Sequence, residues 1–247
     1  MADSAVLAEA VETLARDRAL PEPVMILEAG CGSTSHQEWP FEAVITGIDV
    51  DPEQLEHNKR ITKKILGDLQ SYELPPNEFD IIVCVDVLEH LPFPERALAN
   101  MTRGLKPGGY LLLAGPEPYS YKGFVARYTP HRMRHFIYTL LTGKSHTVLL
   151  QDGIHKTFFP TYLKPTCSLN RMRETAERSN LNILFCKAYD THSSTLHPRY
   201  KPLIGVAHGL ARWIQSATSG RINLLLADFV LVLKKQELAG QSEHNAC

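Results

Sequence analysis

Among its 247 residues the chain has little that would staple it, anchor it or draw it to a polyanion. The five cysteines (Cys31, Cys84, Cys167, Cys186 and Cys247) are an odd number, contain no CxxC pair, and two of them sit inside apolar runs. That usage argues against a disulfide framework and fits a reducing, cytoplasmic compartment. No stretch approaches the roughly 18 consecutive apolar residues needed to cross a bilayer, so no membrane span is expected. The N-terminus alternates acids with small apolar residues and lacks the basic and apolar regions of a signal peptide. A formal net charge of −1 leaves no global electrostatic footprint. A nucleic-acid partner is therefore not expected, and any anionic ligand must meet a local patch. Neither an internal repeat nor a low-complexity linker is visible, and oligomeric state is not legible.

What is present reads as an ordinary globular α/β chain, 44% hydrophobic and 21% charged. Val6, Leu7, Ala10, Val11 and Leu14 recur at helical spacing. Continuous apolar runs then alternate with helical stretches: Val24 to Ala29, Val44 to Ile48, Ile65 to Leu66, Phe79 to Val85, and Tyr110 to Ala114 after the Pro107-Gly108-Gly109 turn. Continuous rather than alternating apolar strands separated by crossovers indicate a parallel sheet covered on both faces, and right-handed crossovers make it doubly wound. Ser168 to Ser179 is a further helix, Ile183 to Cys186 a strand and Ala227 to Leu233 the last one. The expected organisation is one domain over residues 1–236, with insertions at about 116–165 and 190–221 and a disordered tail at 237–247.

Two features carry chemistry before any family is considered. Leu27-Glu28-Ala29-Gly30-Cys31-Gly32 follows a strand, where a glycine turn lets backbone approach a ligand closely. Gly47-Ile48-Asp49 ends the next strand, 19 residues after Gly30. A carboxylate there is placed to accept from both hydroxyls of an adenosine ribose. Its bland alternative is an N-cap for the helix near Pro52, a role that Asp51 fills equally well.

From Val24 to Leu113 the segments LEAGCG, ITGIDVD, LGDL and FDIIVCVDVLEHLPFPERALANMTRGLKPGGYLLLAGP resemble, in order and spacing, the class I S-adenosylmethionine-dependent methyltransferases. The last resembles the small-molecule enzymes of the ubiquinone-biosynthesis type. The resemblance implies a Rossmann-like sheet, mostly parallel with an antiparallel last strand and helices on both faces, and S-adenosyl-L-methionine as cofactor. By the same likeness Glu28, Gly30 and Gly32 line the methionine half, with acidic and backbone N–H partners for its ammonium and carboxylate. Asp49 and Val50 take the ribose, Asp68 with Leu69 the adenine, and Asp86 with Val87 the wall beneath the sulfonium. Thr34 stands where a third glycine often occurs, and only about ten residues separate it from Val44. The first crossover helix is thus expected to be one or two turns at most. A dinucleotide oxidoreductase shares the topology, but Ser35 replaces the third glycine of GxGxxG, and the LEH and KPGG segments have no part in it.

For the reaction, the expectation is methyl transfer to a small-molecule acceptor, a hydroxyl or carboxylate oxygen of an aromatic or otherwise anionic metabolite. His90, at the carboxyl edge of the fourth strand, is a candidate base or pocket wall; His131 and His155 are further candidates. The 116–165 insertion holds seven basic residues against two acidic, interleaved with aromatics. That mixture suits a clamp for a carboxylate or phosphate beside an apolar body, or a solvated face. His131 and His135 have i, i+4 spacing but no HExxH pattern, and no metal is assigned. The other readings are a cofactor-binding regulatory or partner protein without turnover, and a methyltransferase for macromolecules.

Overall fold

The computed structural model describes residues 3–16, 20–35, 37–120, 123, 160–189, 201–218, 224 and 226–237, with backbone alone for 201–208. The continuous apolar runs become strands buried on both faces; β4, Phe79–Val85, has no residue outside the buried class. Its companions are β1 Val24–Ala29, β2 Ala43–Asp49, β3 Lys63–Leu66, β5 Leu105–Pro116, β6 Leu181–Tyr189 and β7 Asp228–Lys235. The helices are α1 Ser4–Arg16, α2 Pro52–His57, α3 Pro94–Gly104, α4 Leu169–Arg178 and α5 Lys201–Ala217.

The strands form one sheet in the order β3-β2-β1-β4-β5-β7-β6. The first five are parallel, while β7 runs antiparallel to both β5 and β6. Strand order reverses between β1 and β4, and a crevice opens at such a switch point beside the carboxyl ends of the strands. The expected sheet, including its antiparallel last strand, is therefore the observed one.

Because side chains alternate across a strand, the sheet feeds two cores. Leu27, Ile82, Leu111 and Leu231 face α3 and α4, meeting Ala97, Met101 and Met172. Ile26, Ile81, Leu112 and Val232 face the other way, onto Val6, Ala10 and Leu14 of α1 and Leu55 of α2. On this second face the structure departs from expectation. Among the described residues the β1–β2 connection contains turns and no helix. Trp39 and Phe41 stack with ring centroids 5.6 Å apart and pack against the second core, so two aromatics help cover what a crossover helix would cover. Ser33, Thr34 and Ser35 favour turns over helix, which suits so short a link.

No helix among the described residues is long and apolar enough to cross a membrane. At the end of the sheet away from the crevice, Asp80 is only 4% exposed and is held by the Lys106 ammonium at 2.9 Å and by the Met25 N–H at 2.9 Å. Removing the cation alone strands a buried carboxylate. Lys106→Met is expected to lower unfolding free energy by about 2 kcal/mol in urea denaturation, discounted for the partial exposure of the lysine. Adding Asp80→Asn should recover part of that loss.

Candidate active site

The crevice is built around the Gly30–Gly32 turn at the end of β1. Gly30 and Gly32 have φ of +72° and +52°, where a side chain would be strained. A Cβ on Gly30 would also come within 2.4 Å of Val87 Cγ2, so β1 and the loop after β4 touch through that position. The Gly30 and Cys31 N–H groups donate to Ile48 O at 2.8 and 3.3 Å, and Gly32 N–H donates to Asp49 Oδ2 at 2.8 Å. The amides expected to meet a methionine carboxylate are thus engaged with β2, and that carboxylate needs another donor.

Asp49 is not the helix cap. Asp51 caps α2, accepting from Glu53 and Gln54 N–H at 3.0 and 3.2 Å. Asp49 instead accepts from Gly32 on one oxygen and from Asp51 N–H at 2.9 Å on the other, which fixes the carboxylate plane at the strand end. Each oxygen retains acceptor capacity. Val50, half exposed, stands beside it. Glu28 is buried, and its Oε2 has no hydrogen-bond partner. Burial pushes its carboxyl above the usual range, opposed in part by the Ser35 side chain and the Arg60 guanidinium. A buried, unpartnered carboxylate oxygen beside a glycine turn is what a ligand ammonium requires.

Asp68 follows β3 and is locked by Gln70, whose N–H donates to Oδ1 at 2.9 Å and whose Nε2 donates to both oxygens at 3.0 and 3.1 Å. The Leu69 side chain lies in the first core. Asn100 of α3 donates to Leu69 O at 2.9 Å and ties this turn to the helix.

Beyond β4, Asp86 adopts a left-handed conformation with φ +53°, which a short polar side chain tolerates. Val87 packs against the first core, and a 3₁₀ turn covers Leu88–His90. Pro160–Leu163 is strapped to that turn: Tyr162 and Leu163 N–H donate to Glu89 O at 2.8 and 3.0 Å, and His90 Nδ1 lies 3.0 Å from Pro160 O. A carbonyl only accepts, so Nδ1 carries the proton and the imidazole lone pair is on Nε2, which lies 3.9 Å from Glu89 Oε1. Glu89 itself is 7% exposed with Oε2 unpartnered, and burial with the nearby Asp86 carboxylate pushes it up to about 8.

The structure thus gathers Glu28, Gly30, Gly32, Asp49, Val50, Asp68, Leu69, Asp86, Val87 and His90 along the carboxyl edge of β1 to β4. Residues 27–113 match the methyltransferase-domain family Methyltransf_11, a span that contains all ten. This span is therefore similar to the methyltransferase domains of that family. Curated relatives of the chain include the ubiquinone biosynthesis O-methyltransferase of Coxiella burnetii, 26% identical over 168 residues that make up 64% of each chain. The mitochondrial enzyme of that name from Candida albicans is 29% identical over 192 residues, 72% of this chain and 56% of that one. The chain therefore spans about three-fifths of the length of these relatives. Among solved structures, a SAM-dependent methyltransferase from Methanosarcina mazei aligns with TM-score 0.50 and 16% identity over 89% of this chain and 95% of its own. The (4+2)-cyclase SpnF aligns with TM-score 0.55 and 19% identity, covering 93% of this chain and 81% of its own. These last two likenesses are of fold.

Several residues of the candidate site carry little or no signal in the sequence. Asn58 is 1% exposed and donates from Nδ2 to Cys31 O and Gly32 O at 3.2 and 3.3 Å, bracing the glycine turn from behind. In the polar run Glu56-His57-Asn58-Lys59-Arg60 nothing distinguishes it from a surface residue. Glu89 gave a weak signal, an acid between Leu88 and His90 just after a buried strand. His131 and His155 lie outside the described residues.

Burial of Glu89 has a thermodynamic signature. Its folded pKa lies above the unfolded value, so the folded state holds the proton more tightly and stability falls as pH rises from about 4.5 to about 8. Glu89→Gln is expected to remove that slope, at most about 1.4 kcal/mol per pH unit, and to be more stable than wild type at pH 8 in thermal unfolding.

Proposed function

We propose that the chain binds S-adenosyl-L-methionine along the carboxyl ends of β1 to β4 and transfers its methyl group to a hydroxyl oxygen of a small molecule. The observation that carries this reading is the unpartnered Glu28 Oε2, buried beside a glycine turn whose neighbour Asp49 presents a fixed carboxylate. Glu28 accepts from the ammonium of the methionine half, Asp49 from the ribose hydroxyls with Val50 beside them, and Asp68 from the adenine amine with Leu69 backbone alongside. Gly30 and Gly32 let the cofactor lie against the backbone, and Asp86 with Val87 forms the wall under the reacting carbon. When bound, the cofactor supplies a methyl carbon activated by its sulfonium. What remains for the protein is alignment, exclusion of water and removal of the acceptor proton.

His90 is the group placed for that last task, because its Nδ1–H is committed to Pro160 O and the lone pair on Nε2 can take the hydroxyl proton as the new C–O bond forms. The names of the curated relatives support an oxygen acceptor. Local charge favours a hydroxyl over a carboxylate: Asp86 and Asp228 already raise Glu89, and the same field repels a second anion.

Calorimetric titration with S-adenosylmethionine and S-adenosylhomocysteine, with NAD as control, tests the cofactor half. Micromolar binding of the first two and none of NAD is the expected result; no binding by either sulfur compound would end the catalytic reading. Asp49→Asn should weaken S-adenosylhomocysteine binding by about 1.5–3 kcal/mol, the worth of charge-assisted hydrogen bonds. His90→Ala should leave that affinity nearly unchanged while lowering turnover of a phenolic acceptor by about 10²–10⁴-fold and removing one limb of the pH–rate profile. Unchanged turnover would show that His90 only shapes the pocket.

A further inference from the structure

Gln70 bridges the turn after β3 and the start of α3, and each of its side-chain hydrogen bonds has a fixed direction. Its Nε2 lies 3.0 and 3.1 Å from the two oxygens of Asp68, and a carboxylate only accepts. Its Oε1 receives the Phe93 N–H at 2.9 Å, and an amide N–H only donates. One orientation of the side-chain amide satisfies both partners, so its placement is over-determined. The Phe93 end is itself fixed: this residue precedes Pro94 at the start of α3, and the Arg96 guanidinium lies 4.7 Å over its ring. Asp68 is thus held by two donors of Gln70, the backbone N–H and Nε2, and the side chain that carries Nε2 is itself tied to the start of α3.

We infer that Gln70 is a positioning residue for the cofactor: it sets the plane of the Asp68 carboxylate so that one oxygen meets the 6-amino group of the purine. Gln70 thereby contributes to selection of adenine over 6-oxo purines. The inference rests on the adenine role proposed for Asp68. Asp68 Oδ1 already accepts from the Gln70 backbone and from Nε2, while Oδ2 accepts from Nε2 alone. The remaining acceptor capacity of the carboxylate is therefore concentrated on Oδ2. Without Nε2 the carboxylate rotates about its terminal torsion, which is soft, and ordering it on binding falls to the ligand. The link to α3 also ties the adenine end to the element that follows His90.

The test compares S-adenosylhomocysteine with its deaminated analogue S-inosylhomocysteine, in which a 6-oxo group and an N1–H replace the amine. Dissociation constants are measured by calorimetry on the full chain, with the melting temperature as a check on folding. Wild type should prefer the adenosyl compound, and Gln70→Ala should reduce the ratio of the two constants about tenfold, the worth of one charge-assisted hydrogen bond. Gln70→Glu keeps an acceptor for Phe93 N–H but turns a carboxylate toward Asp68, and should reduce the ratio further. A purely structural role would weaken both ligands by the same factor. An unchanged ratio in both variants would therefore overturn the assignment. If wild type itself binds both ligands equally, the adenine role of Asp68 falls with it; if wild type binds neither, the cofactor reading falls as well.

Discussion

The crevice depends on the pinning of one turn. Gly30, Cys31 and Gly32 hang by their amides from Ile48 O and Asp49 Oδ2, and Asn58 holds two of their carbonyls from the other side. The close approach this requires explains residues that otherwise look incidental. Gly47 has no space for a side chain, since a Cβ would meet Ile61 Cδ1 at 2.1 Å and Cys31 Sγ at 2.8 Å. Asn58 must be buried despite the cost of burying an amide, because it supplies the donors that those carbonyls need. The same turn is flanked by Glu28 at the end of β1 and by Val87, so the buried acid and the loop after β4 share one mechanical base.

The second theme is the placement of incompletely satisfied polar groups. Unpartnered buried side-chain oxygens at Glu28 and Glu89 fall on the carboxyl edge of the sheet, whereas at the opposite end Asp80 is bonded by Lys106 and Met25, and Lys235 Nζ donates to Thr102 O and Leu105 O at 2.9 and 2.6 Å. Folding alone gives no reason for that asymmetry, since an unpaired buried acid costs stability. The ammonium and proton-transfer roles proposed for Glu28 and His90 would give one, and strained or unsatisfied groups concentrate at functional sites.

Strand order, and the position of Glu28, Gly30, Gly32, Asp49 and Asp86 at the carboxyl edge of the sheet, were legible in the sequence because continuous apolar runs and glycine spacing are local signals. Asp51 against Asp49 was legible only as a pair of alternatives: both precede α2, and which one caps it is decided by the tie between Asp49 and Gly32, a contact across 17 residues. The missing crossover helix was foreshadowed by the short link, but the stacked Trp39 and Phe41 that help cover that face were not, since an aromatic pair in a loop has no period. Gln70 and Asn58 were invisible for a related reason. Each is a polar residue in a polar run, and its meaning comes from long-range partners such as Phe93, 23 residues away, and Cys31, 27 residues away.

The connection between β5 and α4 is held at both of its described ends. The chain leaves the sheet at Glu117 and Ser120 and returns at Pro160. Glu117 accepts from Leu169 N–H at 2.9 Å at the start of α4, and its backbone N–H donates to Ala227 O at 2.8 Å. On return, Tyr162 and Leu163 bond Glu89 O, and Cys167 Sγ lies 3.5 Å from Leu88 O. The first end is thus attached to α4 and to the residue before β7, and the second to the turn that carries His90. Neither attachment involves the Gly30–Gly32 turn, so the two sides of the crevice are braced by separate sets of bonds.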